Sequence, residues 1–230
     1  AQGAEIHRWP IHYARFDATI RPQNVMLHGM EVFEDGSVVV TFDKGHAIAR
    51  VDACGETMWS VNGGFHHSIT RSGDGGLWTW LGEEIVRLDE ATGEQTFALD
   101  LRRDVASADG GEQRGIFAIR TSEPTDRDGD LTYLYDPFHP NDVEMLRPEM
   151  ADAFPMFEAG DLMISLRELN LVAVLDPQTG VLRWSQIGPW LKQHDPDFHP
   201  DGTITVFDNA TGTGRSLIRR VDPGDGTQSV

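Results

Sequence analysis

Apolar residues along this chain cluster in short runs that alternate with polar ones. They read "SVVVTF" (37–42), "GLWTW" (76–80), "LTYLY" (131–135), "DLMISL" (161–166) and "TITVF" (203–207). Runs of this length, rich in β-branched and aromatic residues and bounded by Gly, Pro, Asn and Asp, predict strands. A helical period is sustained only over Glu144–Phe154, where a helix is expected. The chain is therefore all-β in prediction.

The runs recur with a common unit. A turn of D-x-x-x-G type, entered by an apolar residue, appears in "VDACGETMW" at Asp52, "LDEATGEQTF" at Asp89, "LDPQTGVLRW" at Asp176 and "VDPGDGTQSV" at Asp222. The intervals are 37, 87 and 46 residues, the second close to two units. A glycine-led strand recurs at Gly36, Gly76, Gly129, Gly160 and Gly202. A period near forty with about four strands per unit is the signature of a β-propeller. Five units are visible. The aromatics Trp59, Phe97 and Trp184, expected to close blades in the core, have only Val230 as counterpart in the last unit. The prediction is one propeller domain over 1–230, incomplete as a ring, with no linker to a second domain.

Histidine falls at a fixed station in this repeat. Counting back eight residues from Gly36, Gly75 and Gly202 reaches His28, His67 and His194, at the start of the strand before the hairpin turn. "DPFHPNDVEML" offers His139 ahead of an insertion, "RPEMADAFPMFEA". In a propeller the first strand of each blade lines the channel, so equivalent stations converge on one mouth. Counting forward seven from Gly160 and Gly202 reaches Arg167 and Asn209. Positions equally far from a hairpin turn lie near one another, so Asn209 is expected beside His194 and Arg167 on the face of the histidines. By strand alternation His66 points away from His67 and supports it. Trp190, in "GPWLKQH", is the tryptophan expected to approach a ligand ring. His7, His12 and His46 are expected at the surface and His199 in a turn.

The net charge of −18 and a pI near 4.7 disfavour nucleic acid and anionic membrane surfaces as partners. An anionic ligand would need local positive groups. No run of 18 uncharged apolar residues exists, so no membrane-spanning segment is expected, and "AQGAEIHRWP" shows no basic leader before an apolar stretch. The single cysteine, Cys54, forbids an intrachain disulfide. "DRDGD" (126–130) lacks the terminal glutamate of a calcium loop and reads as an acidic turn. G-x-S-x-G, P-loop and H-E-x-x-H motifs are absent.

"LMISLRELNLVAVLDPQTGVLRW" followed by "IGPWLKQHDPDFHPDGTITVFDN", with "FHHSI" and "FHPND" earlier, resembles the bacterial arylsulfotransferase family from about His28 to Asp222. The resemblance implies a six-bladed propeller, exported to the periplasm or cell exterior. It implies transfer of a sulfuryl group from a phenolic sulfate donor to a phenol acceptor without a nucleotide donor, and no cofactor or metal is expected. It implies that His194 in "QHD" is the nucleophile, transiently sulfated. His67 and His139 then support it, Arg167 in "SLR" binds the sulfuryl oxygens, and Asn141 fills the asparagine place of the H-x-N motif. From the counts and positions above, His28, His66, Asn209 and Trp190 are expected on the substrate side. Two other readings stay open: a non-catalytic propeller binding a ligand or partner at the same mouth, and a metal centre held by three converging histidines.

Overall fold

The structure, a computed structural model, describes residues 3–117 and 136–230. The strand expected at 131–135, the "DRDGD" turn and the unit led by Gly129 lie outside the described residues. Among the described residues there are sixteen strands in four antiparallel four-stranded sheets, the blades of a β-propeller. The first sheet holds β1 (Met26–Val32), β2 (Val38–Asp43), β3 (Ala47–Val51) and β4 (Thr57–Asn62). The second holds β5 (Phe65–Arg71), β6 (Gly76–Leu81), β7 (Glu84–Asp89) and β8 (Gln95–Asp100). The third holds β9 (Pro140–Met145), β10 (Leu162–Leu166), β11 (Leu171–Leu175) and β12 (Leu182–Ile187), and the fourth β13 (His194–Phe198), β14 (Ile204–Asp208), β15 (Leu217–Val221) and β16 (Gln228–Ser229). Strand order within every sheet follows the chain.

The chain divides into two compact units. Unit 1 comprises residues 1–82 and 86–98, and unit 2 comprises 83–85 and 99–230. In unit 1, Val39 and Ile48 of the first sheet and Leu77 and Val86 of the second share one core with Trp59. Tyr13 and Phe16 cover the other face of the first sheet, against Val38, Val40 and Phe42. In unit 2, Met163, Val172, Ile204 and Val206 form the core between the third and fourth sheets. The middle strands β2, β3, β10 and β11 are buried nearly throughout because both faces are covered, hence their unbroken apolar runs. The outer strand β4 keeps one wet face and reads as alternation.

The Asp turns link the third and fourth strands of each sheet. Asp52, Asp89, Asp176 and Asp222 each accept backbone N–H bonds through Oδ1. In each, a glycine N–H returns to the Asp carbonyl, from Gly55, Gly93, Gly180 and Gly226. The first turn is one residue shorter than the others, closing on Gly55 after Asp52. These Asx turns satisfy the backbone locally, so the motif survives wherever the hairpin recurs. Trp59 donates Nε1–H to the Glu90 carbonyl in the Asp turn of the next sheet, which locks the first two sheets side by side.

The helix expected over Glu144–Phe154 is a single turn, α1 (Pro148–Ala151). Glu144 belongs to β9, and Leu146 and Phe154 are buried in the core of unit 2. The apolar spacing there reflects an insertion folded onto the sheet edge, not a helix face.

Glu144 accepts the Phe198 N–H on Oε2 at 2.9 Å. Burial pushes its carboxyl up to about 7, against the pull of that N–H; Asp197 adds to the rise and Arg147 opposes it. Between the ordinary carboxylate range and pH 7 the unfolded chain therefore ionises while the native protein keeps its proton. Stability falls as pH rises across that window and levels off above it. Glu144→Gln keeps an acceptor without the charge. It is expected to raise stability at pH 8 by about 1–3 kcal/mol and to leave it unchanged near pH 4, read by urea unfolding. An unchanged pH 8 midpoint would contradict this.

Candidate functional site

The four first strands share a feature that the residue counts did not reveal: three break register at the histidine station and the fourth two residues beyond His139. The ladder slips between Leu27 and Met30 in β1, between His66 and Ile69 in β5, and between His194 and Asp197 in β13. In the third sheet the slip falls at Asn141, between Pro140 and Asp142. Such bulges re-aim side chains and recur beside active sites. His67 (φ 55°), His139 (φ 47°) and Asp195 (φ 42°) take the left-handed conformation that side chains seldom adopt.

In unit 1, β1 lies against β5. The His28 and His67 rings lie 3.8 Å apart at their centroids, and the His67 N–H donates to His28 Nδ1 at 3.3 Å. His66 Nε2 meets the Gly82 carbonyl at 2.9 Å, so that nitrogen carries the proton and Nδ1 accepts. His67 Nδ1 stands 2.8 Å from His66 Nδ1, so the two rings are linked edge to edge. His66 was expected to point away from His67. The bulge and the left-handed turn at His67 break the alternation and bring the two rings together. Thr41 fixes the strand pair: its hydroxyl accepts the Gly29 N–H at 2.8 Å and donates to the His67 carbonyl at 3.0 Å.

In unit 2, β13 lies against β9 and β10. His194 opens β13, and its Nδ1 has two neighbours at 3.2 Å, the Lys192 carbonyl and the Asn209 amide nitrogen. Asn209 does stand beside His194, and it also donates to the Lys192 carbonyl at 2.7 Å. The carbonyl satisfies an Nδ1–H ring and the amide satisfies an Nε2–H ring, so either tautomer is held without movement. Burial pulls the imidazole below its ordinary value, against Asp195 and the Lys192 carbonyl; Arg167 and His139 lower it further. His194 thus feels both Arg167 and His139. His194 is neutral near pH 7.

His139 is tied down by Asp136, whose carboxylate receives both its N–H, at 3.1 Å, and its Nδ1. Its carbonyl accepts the Arg167 N–H at 3.1 Å, which joins the two residues through the backbone. Sequence reasoning missed Asp136. Its signal was a carboxylate three positions before a histidine.

Asn141 and Trp190 are buried, 2% and 1% exposed. The Asn141 amide donates to the Gln193 carbonyl at 2.7 Å, bracing the segment that leads to His194. Trp190 packs in the core of unit 2 and donates to the Asn170 carbonyl at 2.7 Å. Gln193, fully buried, donates to Ser165, the hydroxyl at the station that Thr41 holds in the first sheet. Each unit thus braces a histidine segment with a hydroxyl from the preceding sheet. Among the described residues no group of three His, Cys, Asp or Glu is placed to hold a metal ion, and no helix is long and apolar enough to cross a membrane.

A profile of the family described as Arylsulfotransferase (ASST) matches residues 29–229. No curated protein matches the chain. Among solved structures it is similar to a protein of unknown function from Bacteroides caccae, at 10% identity and TM-score 0.52, over 88% of this chain and 65% of that one. It is similar to hydrazine synthase of Kuenenia stuttgartiensis at 11% identity and TM-score 0.55, over 100% of this chain and 51% of that one. The WD40 domain of Pan2 from Neurospora crassa matches at 11% identity and TM-score 0.51, over 89% and 51%. Likeness at such identities shows the propeller fold alone. The chain spans about half to two thirds of the length of these structures.

Proposed function

Since the chain belongs to the arylsulfotransferase family, we propose that it transfers a sulfuryl group from a phenolic sulfate ester to a phenol through a sulfated His194. The reading rests on one observation: Arg167 and His139, joined through the backbone, both act electrostatically on His194, and the Nδ1 of each imidazole is engaged.

In the Nδ1–H tautomer, His194 donates to the Lys192 carbonyl and presents an unprotonated Nε2. That nitrogen attacks sulfur in line with the departing phenolate; an N–S bond forms as the S–O bond breaks. The Lys192 carbonyl meets the positive charge that the ring acquires. Charge gathers on the three equatorial sulfuryl oxygens, where the Arg167 guanidinium contributes a few kcal/mol, about 2–4 on the scale of one removed oxyanion donor. His139, held by Asp136 through Nδ1, gives its other proton to the phenolate and recovers one from the incoming phenol. The second half-reaction reverses the first, and His194 is restored.

Asp136→Asn removes the carboxylate that holds the His139 N–H and its Nδ1. Transfer is expected to fall by about 10²–10⁴-fold, the usual contribution of general acid–base catalysis, and more steeply for donors with basic leaving groups. Equal losses for acidic and basic leaving groups would remove Asp136 from proton transfer. Intact mass after exposure to an aryl sulfate, without acceptor, tests the whole reading: one added sulfuryl group, located on His194, is expected. An unmodified mass in active protein, or a sulfated residue other than His194, overturns it.

A further inference from the structure

The turn after β10 and the segment before β13 bring together three charged side chains that the mechanism above does not use as a set. Glu168 Oε1 receives Arg167 Nε at 3.1 Å and Nη2 at 2.8 Å, and its Oε2 receives the Lys192 ammonium. The side chains of Arg167 and Glu168 are each 31% exposed and that of Lys192 is 37% exposed, so solutes can reach all three.

Lys192 is not an ordinary surface lysine. Its backbone is left-handed (φ 58°), and its N–H donates to Asn170 Oδ1 at 2.9 Å. Asn170, itself left-handed (φ 50°), closes the short helical turn Arg167–Leu169 and accepts the buried Trp190 N–H. The Lys192 carbonyl is held by Asn209 and faces His194 Nδ1. One rigid knot therefore carries the ammonium, the guanidinium and His194. The chain spends an uncommon backbone conformation on the lysine two residues before that histidine.

We infer that Lys192 and Arg167 together form the seat for the donor's anionic sulfuryl group, and that Glu168 is a tethered anion occupying that seat until the donor displaces it. This inference deepens the function proposed above and rests on it for the identity of the donor. A carboxylate bridging two cations offers two oxygens to the donors that a sulfuryl group would meet, with its remaining oxygen open for other contacts. Burial alone would raise the Glu168 carboxyl, but the hydrogen bonds from Lys192 and Arg167 outweigh it and hold the group ionised. The trio carries one net positive charge with Glu168 in place and two when it swings away. In a chain of net charge −18, an internal anion keeps the cation pair from attracting bulk anions indiscriminately. Binding then becomes an exchange, in which the donor must outcompete a carboxylate already present.

The test uses inorganic sulfate as probe and calorimetric titration as readout, on the full chain. Glu168→Gln is expected to bind sulfate about tenfold or more tightly than wild type, since the competing charge is gone. Lys192→Gln is expected to bind about tenfold more weakly. Glu168→Ala serves as a second variant and should follow Glu168→Gln, with thermal unfolding showing that each variant folds. Unchanged or weaker binding in both Glu168 variants overturns the inference, as does unchanged binding in Lys192→Gln or no binding in any form. The titration reads the anion seat without turnover. Protein that ranks sulfate affinities as expected but never becomes sulfated keeps the seat and loses the transferase. Sulfated protein with unranked affinities keeps the transferase and loses the seat.

Discussion

His194→Asn is expected to abolish transfer from 4-nitrophenyl sulfate to phenol, with a loss of about 10³-fold or more, the scale seen when a nucleophile is removed from a double displacement. Asparagine keeps a polar side chain beside Asn209 and the Lys192 carbonyl, so the knot around the station should persist, and the loss would report chemistry. The wild-type pH profile carries a second sign. Burial, then Arg167 and His139, hold the His194 imidazole low. The nucleophile is therefore already unprotonated at neutral pH, and the acid limb of kcat/KM should lie below pH 6.5. Arg167→Gln removes one of those influences. It should move the acid limb upward while lowering the plateau, because the guanidinium also neutralises the transferring group. His194→Asn protein that retained a tenth of wild-type transfer would end the proposal.

Gly29→Ala is expected to be the most damaging small substitution in unit 1. A Cβ built at Gly29 would stand 1.8 Å from the His67 carbonyl oxygen and 2.9 Å from its carbon, with Thr41 Oγ1 at 2.8 Å. Two of these are backbone atoms and cannot rotate aside, so β1 and β5 must part. Separation would break the Gly29–Thr41–His67 relay and open the core shared by the first two sheets. Overpacking costs about 1–3 kcal/mol where side chains can yield, and a backbone clash belongs at or above the top of that range. A loss of about 3 kcal/mol would lower Tm by roughly 6–12 °C in a chain of this size. A Tm within two degrees of wild type would show that the strands are not held at this distance.

Local chemistry made much of the repeat legible. An Asx turn is satisfied within a few residues, so Asp52, Asp89, Asp176 and Asp222 announced their hairpins wherever they occurred. Continuous apolar runs announced β2, β3, β10 and β11, whose two faces are both covered. The hairpin count also placed Asn209 beside His194, since distance from a turn is a local quantity. The helical period over 144–154 misled because apolar spacing reports what is buried and not which backbone buries it.

The sequence by itself determined the blades, the station of the histidines within them and the family. Only the tertiary structure decided what stands around that station. Strand alternation is a rule of period two, and a bulge suspends it, so the facing of His66 and His67 depended on how β5 meets β6. Burial depends on neighbours distant in the chain, which sent Trp190 and Asn141 inward although both flank the motif. Ion pairing depends on three-dimensional proximity, and nothing in "SLRELN" or "WLKQHD" reveals that Glu168 and Lys192 meet. Those pairings arise where separate turns fold together, and no pattern along a single strand records them.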